Sequence, residues 1–321
     1  MHSSSLQAPI KTDMAAVDAV IRTRLASEVA LVGQIAEYII SAGGKRLRPV
    51  LLLLVAGACG YTGPKAHELA AVIELIHTAT LLHDDVVDES GLRRGRKTAN
   101  ALFGNAASVL VGDFLYSRSF QMMVAGGSME VMAVLSEATN VIAEGEVLQL
   151  MHIGDADVSE AQYLRVIRYK TAKLFEAAGR LGAMVAGAGH QVAPLAEFGM
   201  RLGSAFQLTD DVLDYAGVSA ETGKAVGGDF AEGKPTLPLI HVLAHGSTAQ
   251  REIVRQAIAR PGEASFSSVL AAIESTGALD YTHRAAVAEA DAARTLLDGL
   301  PESDYRQSLL QLCSAAVERK A

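Results

Sequence analysis

The sequence predicts an all-α protein, folded as a single helical domain over residues 1–321. Three observations carry this. Apolar residues recur at intervals of three and four almost throughout, the period of one helix face. No stretch alternates convincingly between apolar and polar residues, as a half-buried strand would. The composition also favours helices: half the residues are hydrophobic, Ala and Leu abound, Trp is absent and only 8 Pro occur.

The elements follow in order. A helix is expected from Ala15 to Ala42, stopped by Gly43-Gly44. Pro49 opens the next, to about Cys59, because proline suits a first helical turn. Gly60-Tyr61-Thr62-Gly63-Pro64 reads as a loop. A long helix then covers about Lys65 to Glu89, followed by a basic loop from Gly91 to Asn100. Further helices are expected at Asn105–Met123, Ser128–Met151, Glu160–Gly187, Ala193–Tyr215 and Leu237–Ala244. Gly217 to Gly233 reads as a glycine-rich charged loop, and the tail adds two or three helices, one ending near Gly299-Leu300-Pro301. No low-complexity linker divides the chain.

Charge and cysteine usage exclude several classes. A formal net charge of −8 argues against a nucleic-acid binder, which usually carries a basic face. Cys59 and Cys313 are the only cysteines, too few for a disulfide framework or a cysteine metal site. That fits a reducing compartment. The first residues lack the charged-then-apolar pattern of a signal peptide. The longest apolar run, near Val50 to Cys59, is too short to span a bilayer. The expectation is a soluble cytoplasmic protein, with at most peripheral membrane contact.

Two acidic clusters carry the chemistry. Asp84-Asp85-Val86-Val87-Asp88 and Asp210-Asp211-Val212-Leu213-Asp214 share one pattern, Asp-Asp-x-x-Asp, each within an apolar helical segment. Residues four apart share a helix face, so Asp84 meets Asp88 and Asp210 meets Asp214. Like charges at that spacing repel, and apolar surroundings raise the cost of leaving them uncompensated. Divalent cations would compensate them. Two such clusters facing one cavity would hold several metal ions, and through them a polyanion. Cations cluster as well: Lys45, Arg46 and Arg48 at a helix start, Arg93-Arg94 after the first motif, Lys170 and Lys173 before the second, Lys224 and Lys234 after it. Such a set suits two phosphorylated ligands, one bound through metal and one held directly by Lys and Arg.

With these pieces in family order, the chain resembles the trans-polyprenyl diphosphate synthases, and among them the octaprenyl diphosphate synthases that make the ubiquinone side chain. The matching segments are GGKRLRP (43–49), ELIHTATLLHDDVVDESGLRRGRKTAN (74–100), GDFLYSRSFQMM (112–123), EGEVLQL (144–150), YKTAKLFEAA (169–178), FQLTDDVLDY (206–215) and EGKPTLPLIH (232–241). The resemblance implies a helical bundle of the isoprenoid synthase type with a central cavity, and a homodimer. It implies an enzyme that extends an allylic diphosphate, such as farnesyl diphosphate, with isopentenyl diphosphate, using three Mg²⁺ ions.

It also implies roles. Asp84, Asp88 and Asp210 match metal ligands, with Asp85, Asp211 and Asp214 as outer-shell or water-mediated partners. Lys45, Arg48, His77 and Arg94 match the isopentenyl diphosphate pocket. Arg93, Lys170, Lys224 and Lys234 match groups around the allylic diphosphate, and Thr171 and Gln207 face the developing cation. One departure stands out: relatives often carry two adjacent acids where this chain has Gly228-Asp229, which weakens a water-mediated metal contact at Gly228.

Product length should be written above the first motif. Ala79 and Thr80 are small and lie about one turn before Asp84, leaving a tunnel open to a growing tail. A prenyl unit spans about 4–5 Å, and the helix back to Lys65 gives about 28 Å, hence a C35–C45 product, with octaprenyl (C40) central. Phe120 and Met123 are candidates for the tunnel floor, although both are equally consistent with ordinary core. Blander readings hold for other residues: His83 as structural, Arg46 as packing or facing solvent, Lys173 as a surface partner of Glu176, Glu144 and Glu146 as structural hydrogen-bonding groups, Arg319-Lys320 as a solvated terminus. The competing functions are a terpene cyclase, which needs no isopentenyl pocket, and an inactive subunit of a two-component synthase, which usually lacks motif acids.

Overall fold

The computed structural model describes residues 6–41, 43–93, 95–216 and 227–318. Arg94, Lys224 and the pair Arg319-Lys320 lie outside the described residues. Among the described residues the fold is helical apart from one small hairpin. In chain order the helices are α1 Lys11–Arg24, α2 Ala30–Ser41, α3 Leu47–Ala58, α4 Pro64–Val87, α5 Ala99–Phe103, α6 Asn105–Ala125, α7 Met129–His152, α8 Glu160–Ile167, α9 Lys173–Val185, α10 Val192–Ala216, α11 Gly228–Ala231, α12 Leu237–His245, α13 Thr248–Ala259, α14 Phe266–Ser275, α15 Ala278–Thr295 and α16 Asp304–Val317. A π turn, Arg168–Ala172, joins α8 to α9.

Several expectations needed correcting. The segment 15–42 forms two helices, α1 and α2. Ser27 Oγ accepts the Val29 N–H at 3.1 Å, a local bond that competes with helix and breaks the run. The loop 91–100 contains antiparallel strands β1 Leu92–Arg93 and β2 Arg96–Lys97, with Leu92 opposite Lys97 and Arg93 opposite Arg96. Among the described residues the tail after α12 holds four helices, not two or three, and α15 stops at Thr295 rather than near Gly299.

The chain divides into two compact units, each drawn from three stretches. Unit 1 takes Met1–Thr139, Leu174–Gly199 and Leu296–Leu312; unit 2 takes Asn140–Lys173, Met200–Thr295 and Cys313–Ala321.

Within unit 1, α4 packs most extensively against α6, and also against α3 and α1. Every residue from Pro49 to Ala56 on α3 is buried, so that helix is apolar all round and lies in the core. Two glycines let backbones touch: a Cβ on Gly179 would lie 2.0 Å from the Leu195 carbonyl oxygen, and one on Gly199 would lie 2.1 Å from that of Phe175. That close approach fixes Phe175, whose ring carries the Arg48 guanidinium 4.5 Å from its centroid. A cation over an aromatic face is attracted by the ring quadrupole, so the core of unit 1 orients one of the cations expected at the site.

Within unit 2, α12 packs on α13 and α15. One apolar cluster gathers Tyr215, Phe230, Leu239, Val242, Val254, Ile258, Val269 and Ile273, all buried. A second gathers Val158, Tyr163, Ile167, Leu208, Leu237 and Ile240. This second cluster grips both α8 and the middle of α10, the helix that carries the second acidic motif.

Candidate active site

In unit 1 the first acidic motif lies in the last turn of α4, with Asp88 as its C-cap. The Asp88 N–H donates to the Asp84 carbonyl at 2.8 Å, so the two acids stand one turn apart, as their spacing predicts. Both are half-buried. Carboxylates at a helix C-terminus face the negative end of the helix dipole, which disfavours them. Asp85 behaves differently. It is fully buried, and its Oδ1 accepts from Nε of Arg93 at 2.7 Å and pairs with the second guanidinium nitrogen at 2.7 Å. The Asp85 backbone carbonyl accepts from the Asn100 side-chain amide at 3.0 Å and from the Ser90 N–H at 3.0 Å. Asp85 thereby fixes Arg93 and the hairpin that carries it. Its other oxygen, Oδ2, is buried with no hydrogen-bond partner.

Beside this lies a small cleft, partly open to solvent, lined among others by Gly43, Arg46, Glu74, His77, Asp85 and Arg93. The cleft brings His77 and Arg93 together with Gly43 and Arg46; Lys45 and Arg48, expected beside His77, are not among its lining residues. Arg46 does more than pack: it pairs with Asp18 of α1 and takes a left-handed backbone conformation at the start of α3. Lys45 is exposed next to it and Arg48 is half-buried. His83 is structural: its Nε2 lies 3.2 Å from the Val109 carbonyl and 3.3 Å from Asp113. Ala79 is fully buried, Thr80 donates to the His77 carbonyl at 2.8 Å, Met123 is buried and Phe120 half-buried on α6.

In unit 2 the second motif lies in the last turns of α10. Asp210 is half-buried. Asp211 is fully buried and accepts from the Tyr163 phenol at Oδ2 and from Gln207 Nε2 at Oδ1, 2.9 Å away. Burial, with Asp229 nearby, pushes its carboxyl well above the usual carboxylate range, and the two donated bonds pull the other way. Burial and the Asp211 charge likewise push the Tyr163 phenol up. Gln207 in turn accepts the Thr171 hydroxyl at 3.0 Å. Asp214 caps α11: its oxygens accept the Gly228 and Asp229 N–H groups, each at 3.0 Å. Gly228 is thus used through its backbone. Lys234 is buried and pairs with Glu232.

Lys170 and Thr171 ride on the π turn, which adds one residue to a helical turn and re-aims its side chains. Gly145 of α7 makes that turn possible, since a Cβ there would lie 2.6 Å from the Lys170 backbone nitrogen. Glu146, one residue on, accepts from Lys170 Nζ at 2.6 Å, while Glu144 accepts from Asn140 at 2.9 Å. Gly145→Ala is therefore expected to cost about 1–3 kcal/mol by overpacking. It should also lower turnover up to about 100-fold through displacement of Lys170 and Thr171. Denaturant melts and steady-state turnover check this; a variant unchanged in both would remove Gly145 from the account. Sequence reading missed Tyr163, Gly145 and Asn100 as contributors, since none belongs to a charged or repeated pattern.

Among the described residues, no three of His, Cys, Asp or Glu gather as a ready-made metal cage. Magnesium is ordinarily held by one or two carboxylates together with substrate phosphate oxygens. The half-buried, all-oxygen donors Asp84, Asp88 and Asp210 fit that mode. Asp85, Asp211 and Asp214 are instead engaged by protein donors.

A bundle of helices bearing two Asp-Asp-x-x-Asp clusters, a basic cleft and phosphate-suited lysines defines a class of prenyl diphosphate chemistry. The polyprenyl synthetase family model matches residues 29–275, and the chain belongs to that family. It is a prenyltransferase of isoprenoid biosynthesis. It is 52% identical over 309 residues to the octaprenyl diphosphate synthase of Escherichia coli (strain K12), covering 96% of each chain. It is 47% identical over 313 residues to an all-trans-nonaprenyl-diphosphate synthase (geranyl-diphosphate specific) of Rhodobacter capsulatus, covering 97% of this chain and 96% of that one. Its structure is similar, at a TM-score of 0.96 and 44% identity, to the polyprenyl synthase of Caulobacter crescentus CB15 crystallised with calcium and isoprenyl diphosphate, covering 100% of this chain and 98% of that one. No helix among the described residues is long and apolar enough to cross a membrane.

Proposed function

We propose that this chain is a magnesium-dependent elongase that extends farnesyl diphosphate with isopentenyl diphosphate to an all-trans octaprenyl (C40) diphosphate for a quinone side chain. The observation that carries the reading is the cleft in unit 1, where His77 and Arg93 stand beside Gly43 and Arg46 next to the acidic end of α4. A cyclase needs no such second diphosphate pocket. The 52% identity to an octaprenyl diphosphate synthase supports the product length, and the calcium-bound relative supports a divalent metal. The family match runs through stretches of both units, which supports reading 1–321 as one catalytic domain.

Asp84, Asp88 and Asp210 would hold Mg²⁺, three ions in all, as the primary carboxylate ligands. Magnesium, when bound, draws charge from the allylic diphosphate and makes it a good leaving group. The protein's own groups do the rest. Arg93, held by Asp85, and Lys170, held by Glu146, receive the diphosphate as its bond to C1 breaks, with Lys224 and Lys234 adding positive charge. Lys45, Arg48, His77 and Arg94 hold isopentenyl diphosphate so that its double bond attacks C1. Thr171 and Gln207 present oxygen dipoles to the positive charge. A proton then leaves the new bond's neighbour for an oxygen of the departed diphosphate, and the longer allylic chain is ready for another cycle.

Large apolar side chains stand exposed in each unit: Leu110, Val124 and Met129 in unit 1, Val147, Leu150 and Met151 in unit 2. Exposed apolar side chains such as these suit a partner, and support a homodimer. The deciding experiment is incubation of the purified chain with farnesyl diphosphate, isopentenyl diphosphate and Mg²⁺, followed by chromatography of the products. Chain extension to about C40 is expected. Hydrocarbon release would favour a cyclase, and silence until a second protein is added would favour a two-component subunit.

A further inference from the structure

Asp211 lies between Asp210 and Asp214 in the second motif, yet it is 1% exposed and both its oxygens meet protein donors, Tyr163 at Oδ2 and Gln207 at Oδ1. That arrangement has a directional effect. A side-chain amide has one donor end and one acceptor end. With its NH₂ turned to Asp211, Gln207 must present its carbonyl oxygen the other way, and there it accepts the Thr171 hydroxyl at 3.0 Å. Thr171 has then given its only proton inward, so its remaining surroundings meet oxygen lone pairs. The chain Tyr163, Asp211, Gln207, Thr171 fixes the sign of two dipoles. A flipped Gln207 would present N–H groups where oxygens now stand, and would repel a positive charge instead of attracting it.

We propose that Tyr163 is a positioning residue for prenyl transfer, its hydroxyl locking Asp211 so that Gln207 and Thr171 turn oxygens toward the developing allylic cation. This rests on the roles given above to Gln207 and Thr171. Dipoles fixed before the reaction need no reorganisation as charge develops, so the lock acts on the transition state and not on ground-state binding. Burial supports a dedicated role: Tyr163 is 5% exposed, packed among Ile167, Leu208, Leu237 and Ile240, and its polar tip reaches a single acceptor, Asp211. Asp211 on this account orients rather than ligates.

Tyr163→Phe removes the hydroxyl and keeps the packed ring. In a single condensation of farnesyl with isopentenyl diphosphate, kcat should fall at least about 10-fold while both KM values stay within about twofold. Magnesium-dependent binding of inorganic pyrophosphate, read by calorimetry, should be unchanged. An ammonium analogue of the allylic diphosphate, positive where the cation develops, should bind about 10-fold more weakly to the variant, and farnesyl diphosphate equally well. Should Tyr163→Phe fail to fold, Tyr163→Phe/Asp211→Asn, which also removes the stranded carboxylate, is measured with the same expectations. A kcat within twofold of wild type would overturn the proposal. So would weakened magnesium-dependent pyrophosphate binding, which would place Asp211 with the metal. Wild type is run alongside: if it extends nothing, the elongase reading fails and this role with it, whereas normal extension by both proteins sinks only the role of Tyr163.

Discussion

Asp84→Ala and Asp210→Ala are each expected to lower turnover with farnesyl and isopentenyl diphosphates by about 100- to 1000-fold, the loss of roughly 3–4 kcal/mol of leaving-group stabilisation. Neither should unfold the protein. Asp84 and Asp210 are half-buried, and Asp84 sits at the end of a helix whose dipole disfavours it. Their neighbours predict the opposite pattern. Asp85 is fully buried and salt-bridged to Arg93, so Asp85→Ala leaves a guanidinium without its partner and should cost stability. The expected cost is about 3–5 kcal/mol, with a raised KM for the allylic diphosphate as Arg93 loses its anchor. Circular dichroism melts, turnover and the Mg²⁺ concentration for half-maximal activity separate the cases. Near-normal turnover by Asp84→Ala or Asp210→Ala would remove both motifs from the chemistry.

The contrast between adjacent acids also shows how far the sequence could be read. Spacing was enough to pair Asp84 with Asp88 and to set α4 to within two residues, because a 24-residue apolar pattern between a Gly-Pro start and a basic loop leaves little freedom. It could not separate Asp85 from Asp84, or Asp211 from Asp210. Which carboxylate turns inward depends on donors far away in the chain: Arg93 is eight residues from Asp85, and Tyr163 is 48 from Asp211. The π turn at Arg168–Ala172 was invisible for a similar reason. Its backbone lies against Gly145 on another helix, where a side chain would clash, and that contact is not written in the turn's own composition. The two strands of the hairpin are two residues each, too short for any alternation to register. The break at Ser27 did leave a signal, a capping residue before an apolar run. A strong periodic pattern on either side of it hid that signal.

Ala79→Tyr is expected to shift the product from about C40 to C15–C20, the second large effect. Ala79 is fully buried on α4, five residues before Asp84, so about 7–8 Å up the helix from the acidic end. A tail growing from that end along α4 would meet a phenol there after about two prenyl units of depth. The same substitution tests whether the space exists at all. In a close-packed core, inserting a ring costs about 1–3 kcal/mol. If α4 and α6 pack tightly at this level, the variant should melt early and still make the long product. If a tunnel runs past Ala79, the ring fills it, the melting temperature holds and the chain stops short. Met123, buried on α6, gives the complementary test: Met123→Ala should lengthen the product or broaden its distribution if it forms the floor. As ordinary core, it would instead cost about 2–5 kcal/mol with the product unchanged. Chain length and stability therefore move in opposite combinations under the two models, and product chromatography beside a thermal melt on each variant decides between them.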